Sequence, residues 1–494
     1  MPSEAIVFGN QQATGDSPLA GAPGLAYNVV MDAAGAVRRR PGIIAWDESP
    51  QADAYADTDS THIDLFENIN VTAIGKIGTK LVWVAGLWSF DGTTNYSQDW
   101  WSLTDTGAID RISGNAGGGI NGSERPVMAE TQFRIVAVAG GTEGGYWDGS
   151  SALGTQWSAS YATQVAALAQ RLLVNDLTST STNNRVRYTG VGSAGNLTFG
   201  ALGFVSAEAR PDAVVALREN SNEAFVFGET TLQVFVPDPN IILAPQRTVN
   251  RGCSAAHSVI RADEHMAWLD DQRQFVVSDG RAIDVPSDPI AETLDAIETV
   301  DDCYGFRVNQ GQFDVLAWQF PTDGRTFAYQ RGGGWAQWST WNEDTNQHGP
   351  FSIKSHFYWP ERNLHLVGLE NGEIAQLSTS AYTDLGDTIK AEVTTGFLNH
   401  GTDAMKFTDA LHLTFKRGQS SASTEPQVLL SWRDDMGPFE APVAIGLGTT
   451  GDYVSTVTLR TLGGYRRRQW KLEFSSDAEL VLASVTEDFT VGGS

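Results

Sequence analysis

The sequence AVVALRENSNEAFVFGETTLQVFV, at residues 213–236, gives the clearest indication of the fold. Its apolar segments Ala213–Arg218, Ala224–Phe227 and Leu232–Val236 are each long enough for one short strand, and Glu219–Asn222 supplies a polar turn between the first two. Short apolar segments joined by turns of this composition are typical of β-hairpins. We therefore predict a meander of antiparallel strands here.

The same unit recurs on both sides of this stretch. Comparable strands lead into turns containing Gly, Asp or Asn at Leu81–Gly86, Phe133–Ala139, His265–Leu269, Asp314–Phe320 and Leu364–Leu369. The units follow one another at roughly 40–50 residues, which is the period of a propeller blade. The repeat predicts an all-β fold built on a β-propeller, with six blades preferred and seven as the alternative.

The pattern also divides the chain into three parts. Residues 1–60 form an irregular N-terminal arm, residues 61–386 form the propeller, and residues 387–494 have the longer alternating strands of a β-sandwich or sheet domain. Because the arm is too short to fold alone, we expect it to pack on the C-terminal domain beside the ring. Within the propeller, Gln164–Leu173 fits a short helix or the start of a strand, and Pro289–Val300 has helical apolar spacing.

The charge balance is strongly acidic. The chain has 33 basic and 59 acidic residues, which gives a net charge of −26. Such a charge favours solubility and limits self-association, and it repels the phosphates of nucleic acids. It argues against sequence-specific DNA binding and fits a surface along which DNA passes without sticking.

Cysteine content and hydropathy indicate the compartment. Cys253 and Cys303 are the two cysteines of the chain; they could pair, but they do not make a disulfide framework, so we expect assembly in a reducing compartment. The segment Met1–Phe8 lacks the regions of a signal peptide. No apolar run approaches the roughly 20 residues that span a bilayer, so we expect no direct membrane insertion.

The sequence motifs do not indicate a cofactor or a metal. Gly190–Gly195 has the GxGxxG spacing of dinucleotide sites, but no helix follows to hold a phosphate. The eight histidines are scattered, and a pair such as His356 and His365 is too loosely spaced to indicate metal ligands. The segment Asp53–Asp59 lacks the glycine and distal glutamate of a calcium loop. We therefore expect no cofactor and no metal site.

Paired carboxylates are the remaining catalytic alternative. They occur at Asp270-Asp271, Asp301-Asp302 and Asp434-Asp435. A glycosidase needs two carboxyl groups about 5–9 Å apart on either side of the bond. Adjacent aspartates in turns more often cap the turn and face solvent, so we expect that the protein is not an enzyme.

The candidate site is instead a subunit interface. Basic residues cluster in three places in this acidic chain: Arg38, Arg39 and Arg40; Lys416 and Arg417; and Arg466, Arg467 and Arg468. Arginine makes planar, bidentate contacts with carboxylates and is enriched at interfaces. We expect these residues at contacts between subunits; the alternative is a solvated face or pairing with acidic residues of the same chain.

The order of several motifs resembles the tail hub, or nozzle, proteins of short-tailed bacteriophages, the packaged-DNA stabilisation protein family. The motifs that carry the resemblance are Tyr27–Asp32, Arg40–Ile43, Ser206–Asp212, Phe225–Phe235, Asn250–Ser258, Met266–Asp270, Thr326–Trp335 with Trp338, Ser431–Gly437 and Tyr465–Arg468. They cover most of the chain in the family's order. Two features depart from the family: Trp100-Trp101 with the Gly114–Gly122 loop has no counterpart, and the Asp434-Asp435 turn lacks a second glycine.

The resemblance implies a homo-hexameric ring at the distal end of a short tail, within a virion assembled in the bacterial cytoplasm. The ring would lie below a head-to-tail adaptor ring and contact tail spikes or fibres and a central needle or plug. It would extend the DNA channel, retain the packaged genome and allow its passage at ejection. This work is mechanical and needs no catalysis.

Two other functions are compatible with a propeller. One is a carbohydrate-binding or carbohydrate-active propeller, such as a receptor-binding virion protein, in which exposed tryptophans would bind sugars. The candidates for that role are Trp100, Trp101, Trp157, Trp335, Trp338 and Trp341. The other is a general interaction scaffold in a cell. Stable assembly into a six-fold ring would distinguish the nozzle from both.

Overall fold

The computed structural model describes residues 3–6, 8, 26–47, 69–87, 98–103, 109–112, 124–141, 143–150, 155–158, 161–191, 197–207, 210, 212–370, 372–416, 426–447 and 454–492. The segment Asp53–Asp59, the Gly114–Gly122 loop, Arg417 and most of Gly190–Gly195 lie outside these residues.

The N-terminal strands come first. They are β1 Ser3–Ile6, β2 Ala26–Tyr27, β3 Val29–Met31, β4 Val37–Arg39 and β5 Gly42–Ala45.

Six blades of the propeller are built from four consecutive antiparallel strands each. Blades 1 to 3 comprise β6 Ile69–Ile77, β7 Lys80–Leu87, β8 Gln98–Leu103 and β9 Ile109–Arg111; β10 Val127–Glu130, β11 Ile135–Val138, β12 Glu143–Trp147 and β13 Thr155–Ser158; and β14 Val165–Leu168, β15 Arg171–Asn175, β16 Arg185–Thr189 and β17 Phe199–Ser206. Blades 4 to 6 comprise β18 Val214–Asn220, β19 Glu223–Gly228, β20 Leu232–Asp238 and β21 Ile242–Val249; β22 Ile260–Ala262, β23 His265–Leu269, β24 Phe275–Ser278 and β25 Ile283–Asp284; and β26 Tyr304–Gln310, β27 Phe313–Phe320, β28 Arg325–Gln330 and β29 Trp335–Gln337.

A further blade is completed by the N-terminal segment. The hairpin of β30 Thr340–Asn342 and β31 Gln347–Gly349 leads to β32 Ser355–Trp359, β33 Leu364–Gly368 and β34 Ile374–Ser378. Strand β5 adds to β34 as the fourth strand, with Ile44 opposite Gln376. The preferred number of six therefore corresponds to the blades made from consecutive strands. This seventh sheet closes the ring by pairing a strand that precedes blade 1 with the strands that follow blade 6.

Apolar clusters between neighbouring sheets hold the ring together. One fully buried cluster lies at each of the seven blade-to-blade contacts, including the contact between blade 7 and blade 1, where Trp359 and Leu366 meet Trp83. At the contact between blades 4 and 5, Phe227 packs edge-on against Trp268 with ring centroids 5.1 Å apart. Aliphatic residues make up most of each cluster, and every cluster also contains at least one large aromatic side chain, which suits a wide layer between sheets. The predicted all-β propeller fold is confirmed.

The two segments with helical sequence patterns differ. Gln164–Leu173 contains β14, the start of β15 and the turn between them, in which Ala169 and Gln170 have φ values of 47° and 61°. Positive φ at both positions matches the twist of a tight hairpin, so the strand alternative is right. Pro289–Val300 begins within the 3-10 turn Asp288–Ile290 and contains helix α1 Ala291–Asp295, and these two consecutive elements form one short helical segment as expected.

The C-terminal strands form a two-sheet sandwich. They are β37 Ala391–Thr394, β38 Lys406–Lys416, β39 Gln427–Asp434, β40 Val443–Gly446, β41 Val454–Arg460, β42 Gly464–Tyr465, β43 Arg468–Phe474 and β44 Val481–Val491. The short strands β35 Thr383–Asp384 and β36 Asp387–Thr388, which come before them, extend the sheet of blade 7 beyond β5. One sheet has the order β3-β4-β44-β38-β41, and the other includes β37-β43-β39-β40. Leu411, Leu413 and Val485 of the first sheet pack against Leu430, Trp470 and Leu472 of the second.

Strand β2 joins the sandwich to the propeller. Tyr27 pairs in parallel with Gln337 of blade 6 and in antiparallel with Glu392 of β37. Blade 6 and one sheet of the sandwich thereby become a single nine-stranded sheet. Because β3 and β4 pair within the sandwich while β5 completes blade 7, the N-terminal segment contacts both parts of the molecule.

Candidate functional site

The arginines of the first basic cluster are largely internal. Arg39 is buried and donates hydrogen bonds from Nη2 to the carbonyl of Ile389 at 2.7 Å and from Nη1 to that of Ala478 at 3.2 Å. Burial, together with the neighbouring charge of Arg40, lowers the pKa of Arg39 to about 10. Arg38 is half-buried beside them.

Arg40 is also fully enclosed. Its side chain is 0% exposed and forms a bidentate ion pair with Asp384, and it also donates to Asn28 Oδ1 at 2.9 Å and to the carbonyl of Ser339 at 3.0 Å. Its planar fork satisfies acceptors of its own chain, so no donor remains for a neighbouring subunit.

Arg468 in the last basic cluster has the same character. Its side chain is 0% exposed, and its Nε and Nη2 donate to the two oxygens of Asp434 at 2.6 and 2.7 Å. It also donates to Thr408 Oγ1 at 2.6 Å and lies over the ring of Tyr465. The structure therefore places Arg39, Arg40 and Arg468 inside the subunit, where Arg40 and Arg468 form ion pairs and Arg39 donates to backbone carbonyls of the same chain. We exclude these three from the interface.

Two arginines of that cluster remain at the surface. Arg466 is exposed and donates to the carbonyl of Asp403 at 2.8 Å, and Arg467 is half-buried with Nη2 3.1 Å from Asp403 Oδ1. Asp435 Oδ1 accepts hydrogen bonds from the backbone amides of both arginines, at 3.1 and 2.9 Å. Lys416 is exposed at the end of β38, away in sequence from this group.

Beside these arginines lies an exposed methionine that the sequence reading overlooked. Strand β39 ends in a turn in which Asp435 and Met436 have φ values of 51° and 67°, and Met436 is 59% exposed. Arg and Met are both enriched at protein interfaces. We call the group Met436, Arg466, Arg467, Asp403 and Asp435 the Met436 surface, and it is the candidate subunit contact.

The paired aspartates act as structural caps. Asp270 is fully buried, accepts the amides of Gln272 and Gln274 at 2.9 and 2.8 Å, and forms an ion pair with Arg251 at 2.6 Å. Burial raises its pKa. Asp271 accepts the amide of Gly252 at 2.9 Å. These contacts are those of a turn-capping pair, as expected. The expectation that such aspartates face solvent is wrong for Asp270, because the fold buries it beside Arg251.

The histidine pair that seemed too loosely spaced in sequence does meet in space. His356 Nε2 and His365 Nδ1 are 3.0 Å apart on neighbouring strands of blade 7, and burial lowers the pKa of both. They form a buried hydrogen bond, and in the part of the chain that the structure describes no three His, Cys, Asp or Glu side chains are grouped to hold a metal. None of the helices described is long and apolar enough to cross a bilayer.

The tryptophans proposed as sugar platforms lie mostly in blade cores. Five of the six are buried: Trp100, Trp101, Trp157, Trp335 and Trp338. The sixth, Trp341, is half-buried between Lys390 and His348. Rings that fill the contacts between blades are not available to stack on a sugar, so this geometry gives the carbohydrate alternative no support.

Comparisons with known proteins add an independent observation. The sequence profile of a family described as "Bacteriophage P22 Gp10, beta-propeller" matches residues 111–382, which is more than half of the chain. A search of curated proteins finds no match. Among solved structures, one described as "YCF48 bound to D1 peptide" is similar at 11% identity and a TM-score of 0.37, over 68% of this chain and 98% of that chain. That similarity is too low to support an argument.

Proposed function

The chain belongs to the bacteriophage P22 Gp10 β-propeller family, and on that basis we propose that it is a structural virion protein that forms the nozzle ring of a short phage tail. The observation that carries the proposal is the family match over residues 111–382, which begins at the end of blade 1, covers blades 2 to 6 and ends just after β34 of blade 7. In this role the ring continues the DNA channel below the head-to-tail adaptor, retains the packaged genome and opens for ejection.

The architecture supports a mechanical role. The ring is closed by β5, and the nine-stranded sheet runs without interruption from blade 6 into the sandwich. Parts that share one hydrogen-bonded sheet cannot swing freely relative to each other, because any hinge would break ladder hydrogen bonds. A unit of this kind transmits force between neighbours in a tail.

The charge supports a channel for DNA. With 59 acidic against 33 basic residues, a ring of several copies carries a large negative charge. Phosphates bind proteins mainly through Lys and Arg, and acidic surfaces repel them. DNA passing through such a ring would be held by its fit and by a plug rather than by adhesion to the wall.

The proposal includes specific partners. Six copies form the ring, the adaptor ring lies above it, tail spikes or fibres attach outside, and a needle or plug closes the centre. The Met436 surface is the proposed contact between copies, because an exposed methionine beside two arginines matches the composition of interfaces and the neighbouring subunit is rich in carboxylates. The proposed role needs no catalytic step.

The decisive experiment is the mass of the purified protein, measured by native mass spectrometry alone and with the adaptor ring of the same phage. We expect a hexamer, either alone or on the adaptor. A chain that remains monomeric in both samples would contradict the nozzle role.

The contribution of the Met436 surface is tested separately. We expect R466E/R467E to weaken assembly while each subunit stays folded, because both side chains are accessible and reversal creates repulsion with carboxylates across the contact. The matched control is R261E/R281E, which reverses two exposed arginines of blade 5. Equal assembly of both variants would remove the Met436 surface from the proposal without affecting the ring itself.

A further inference from the structure

The centre of the propeller contains a cavity of about 400 Å³. All seven blades contribute to its lining, through their first strands or the residues just before them. Its volume lies in the range of small-ligand sites, which is about 300–1,000 Å³. The cavity is thus a candidate for a small molecule or a single chemical group.

Two arginines from different blades line this cavity, and among the described residues neither has a carboxylate as a hydrogen-bond partner. Arg125, just before blade 2, donates from Nη2 to the carbonyl of Lys354 at 2.7 Å, and its Nη1 has no hydrogen-bond partner among the described residues. Its guanidinium lies 4.0 Å from the ring centroid of Tyr304. Arg125 therefore has a donor that none of the described residues accepts.

Arg218 of blade 4 is held by neutral groups. Its Nη1 donates to Gln164 Oε1 at 2.6 Å and to the carbonyl of Leu217 at 2.8 Å, and its Nη2 donates to the carbonyl of Ala256 at 3.1 Å. These acceptors fix the guanidinium in place but do not neutralise it. Burial lowers the pKa of Arg218 to about 10, which still leaves it charged at neutral pH.

Both charges act on the same neighbour. His257 also lines the cavity, and its pKa lies well below the ordinary value because of burial and the charges of Arg125 and Arg218. The imidazole is therefore neutral, and the lining of the cavity carries two guanidinium charges, both of which act on His257.

The carboxylates in the lining are engaged elsewhere. Glu130 Oε1 accepts the amide of Gly78 at 3.0 Å. Glu219 Oε1 accepts the amide of Asn222 at 3.0 Å, and its Oε2 lies 3.5 Å from Arg261. Neither bonds to the two arginines. The charge of Asp302 acts on Arg125, but no hydrogen bond joins the two residues. No described carboxylate is therefore hydrogen-bonded to either guanidinium, although the chain has a net charge of −26.

The two arginines indicate which kind of ligand the cavity would bind. A charge removed from bulk water is costly unless it is paired, and the guanidinium fork matches the oxygens of carboxylate and phosphate groups. We propose that the central cavity binds one small oxyanion, a carboxylate or a phosphate group, through Arg125 and Arg218. This site is independent of the nozzle role and of the oligomeric state.

The test uses the full-length protein in buffer with chloride as the sole other anion, at constant ionic strength. Inorganic phosphate and succinate are the probes, followed by isothermal titration calorimetry and by the midpoint of thermal unfolding. We expect one of them to bind saturably at one site per chain and to raise the unfolding midpoint. Binding of phosphate identifies a phosphate site, and binding of succinate identifies a carboxylate site. Absence of saturable binding by both would overturn the proposal.

Variants distinguish the site from general salt effects. We expect R125M and R218M each to weaken binding at least tenfold, and the exposed control R281M to bind as the unmodified protein does. A gain in unfolding midpoint that persists in R125M/R218M would mean that the anion acts elsewhere and would overturn the proposal. If a methionine variant does not fold, R218K keeps the charge without the fork and is expected to bind more weakly.

Discussion

Arg40 and Asp384 form a bidentate ion pair between residues 344 positions apart in the chain, and the arginine side chain is 0% exposed. Arg40 precedes β5, which completes blade 7, and Asp384 ends β35, which pairs with β5 at Ile43. The same carboxylate accepts the amide of Ile43 at 3.2 Å. One ion pair therefore fixes the N-terminal segment at the point where the propeller ring closes.

Removal of this arginine should strongly destabilise the protein. We expect R40M to lower the free energy of unfolding by about 3–5 kcal/mol, because it leaves Asp384 buried without its charged partner. The measurement is chemical denaturation followed by tryptophan fluorescence. The exposed control R281M should change the free energy by less than about 1 kcal/mol. R40M/D384N should be less destabilised than R40M; equal loss in both would show that the pair contributes little.

Substitution of the buried Arg468 and of the exposed Arg466 should change the stability of the protein by different amounts. We expect R468M to lower the free energy of unfolding by about 3–5 kcal/mol, since Asp434 and Thr408 lose a buried partner. R466M, on the exposed side of the same turn, should stay within about 0.5 kcal/mol. Circular dichroism during thermal unfolding measures both. Similar midpoints for the two variants would contradict the interior position of Arg468.

The strands and the ring were predictable because their signals are local. Alternating apolar residues and a polar turn identify a hairpin within about ten residues, and the blade repeats that pattern. The turn at Ala169 and Gln170 gave no such signal, since both residues have positive φ without being Gly, Asn or Asp. The segment around it therefore remained open between helix and strand.

Closure of the ring had no local signal at all. Gly42–Ala45 pairs with Ile374–Ser378, and nothing in four residues specifies a partner more than three hundred positions away. For this reason the sequence left six and seven blades open. The pairing of β5 with β34 depends on the geometry of the whole ring rather than on the sequence of either strand.

For a related reason, the prediction that Arg39, Arg40 and Arg468 lie at a subunit interface is wrong. A run such as Arg38–Arg40 is usually a solvated or contact surface, and its burial depends on acceptors such as Asp384 that only the fold brings close. Met436 shows the converse, because an isolated methionine carries no surface signal in sequence. Arg125 and Arg218 lie in different blades, so their shared cavity was also invisible before folding.

The two cysteines should be unreactive in the native protein. Both are free and buried, and burial raises the pKa of Cys253 to about 11 and that of Cys303 well above its ordinary value. Reaction with a disulfide reagent needs thiolate and access. At pH 8 we expect no labelling by Ellman's reagent until the protein is denatured, and then two thiols per chain. Rapid native labelling, or a mass two hydrogens lower, would contradict this state.

The last prediction concerns pH and the buried group around His400. His400 Nδ1 is 2.7 Å from Glu4 of β1, and its Nε2 forms an ion pair with the fully buried Glu487 at 3.3 Å. Those two atoms are not aligned as a hydrogen bond, so the contact is mainly Coulombic. Burial alone would lower the pKa of His400, but the two carboxylates together raise it. Burial alone would raise the pKa of Glu487, but His400, Thr408 and Tyr465 together lower it.

These directions define a window of stability. A histidine whose pKa is raised in the folded state stabilises the fold fully below its unfolded pKa of 6.5, and that stability is lost as the pH rises through the folded value. A glutamate whose pKa is lowered stabilises the fold above its unfolded value of 4.5 and loses this effect as the pH falls. The group therefore contributes most between pH 4.5 and 6.5.

We expect the unfolding midpoint of the unmodified protein, relative to H400Q, to fall as the pH rises from 6 to 9. H412Q, at a half-exposed histidine that lies 3.2 Å from Asp488, is the matched control and should change this slope much less. A pH-independent difference between the unmodified protein and H400Q would mean that His400 is neutral in the fold and that its contacts with Glu4 and Glu487 are not charged.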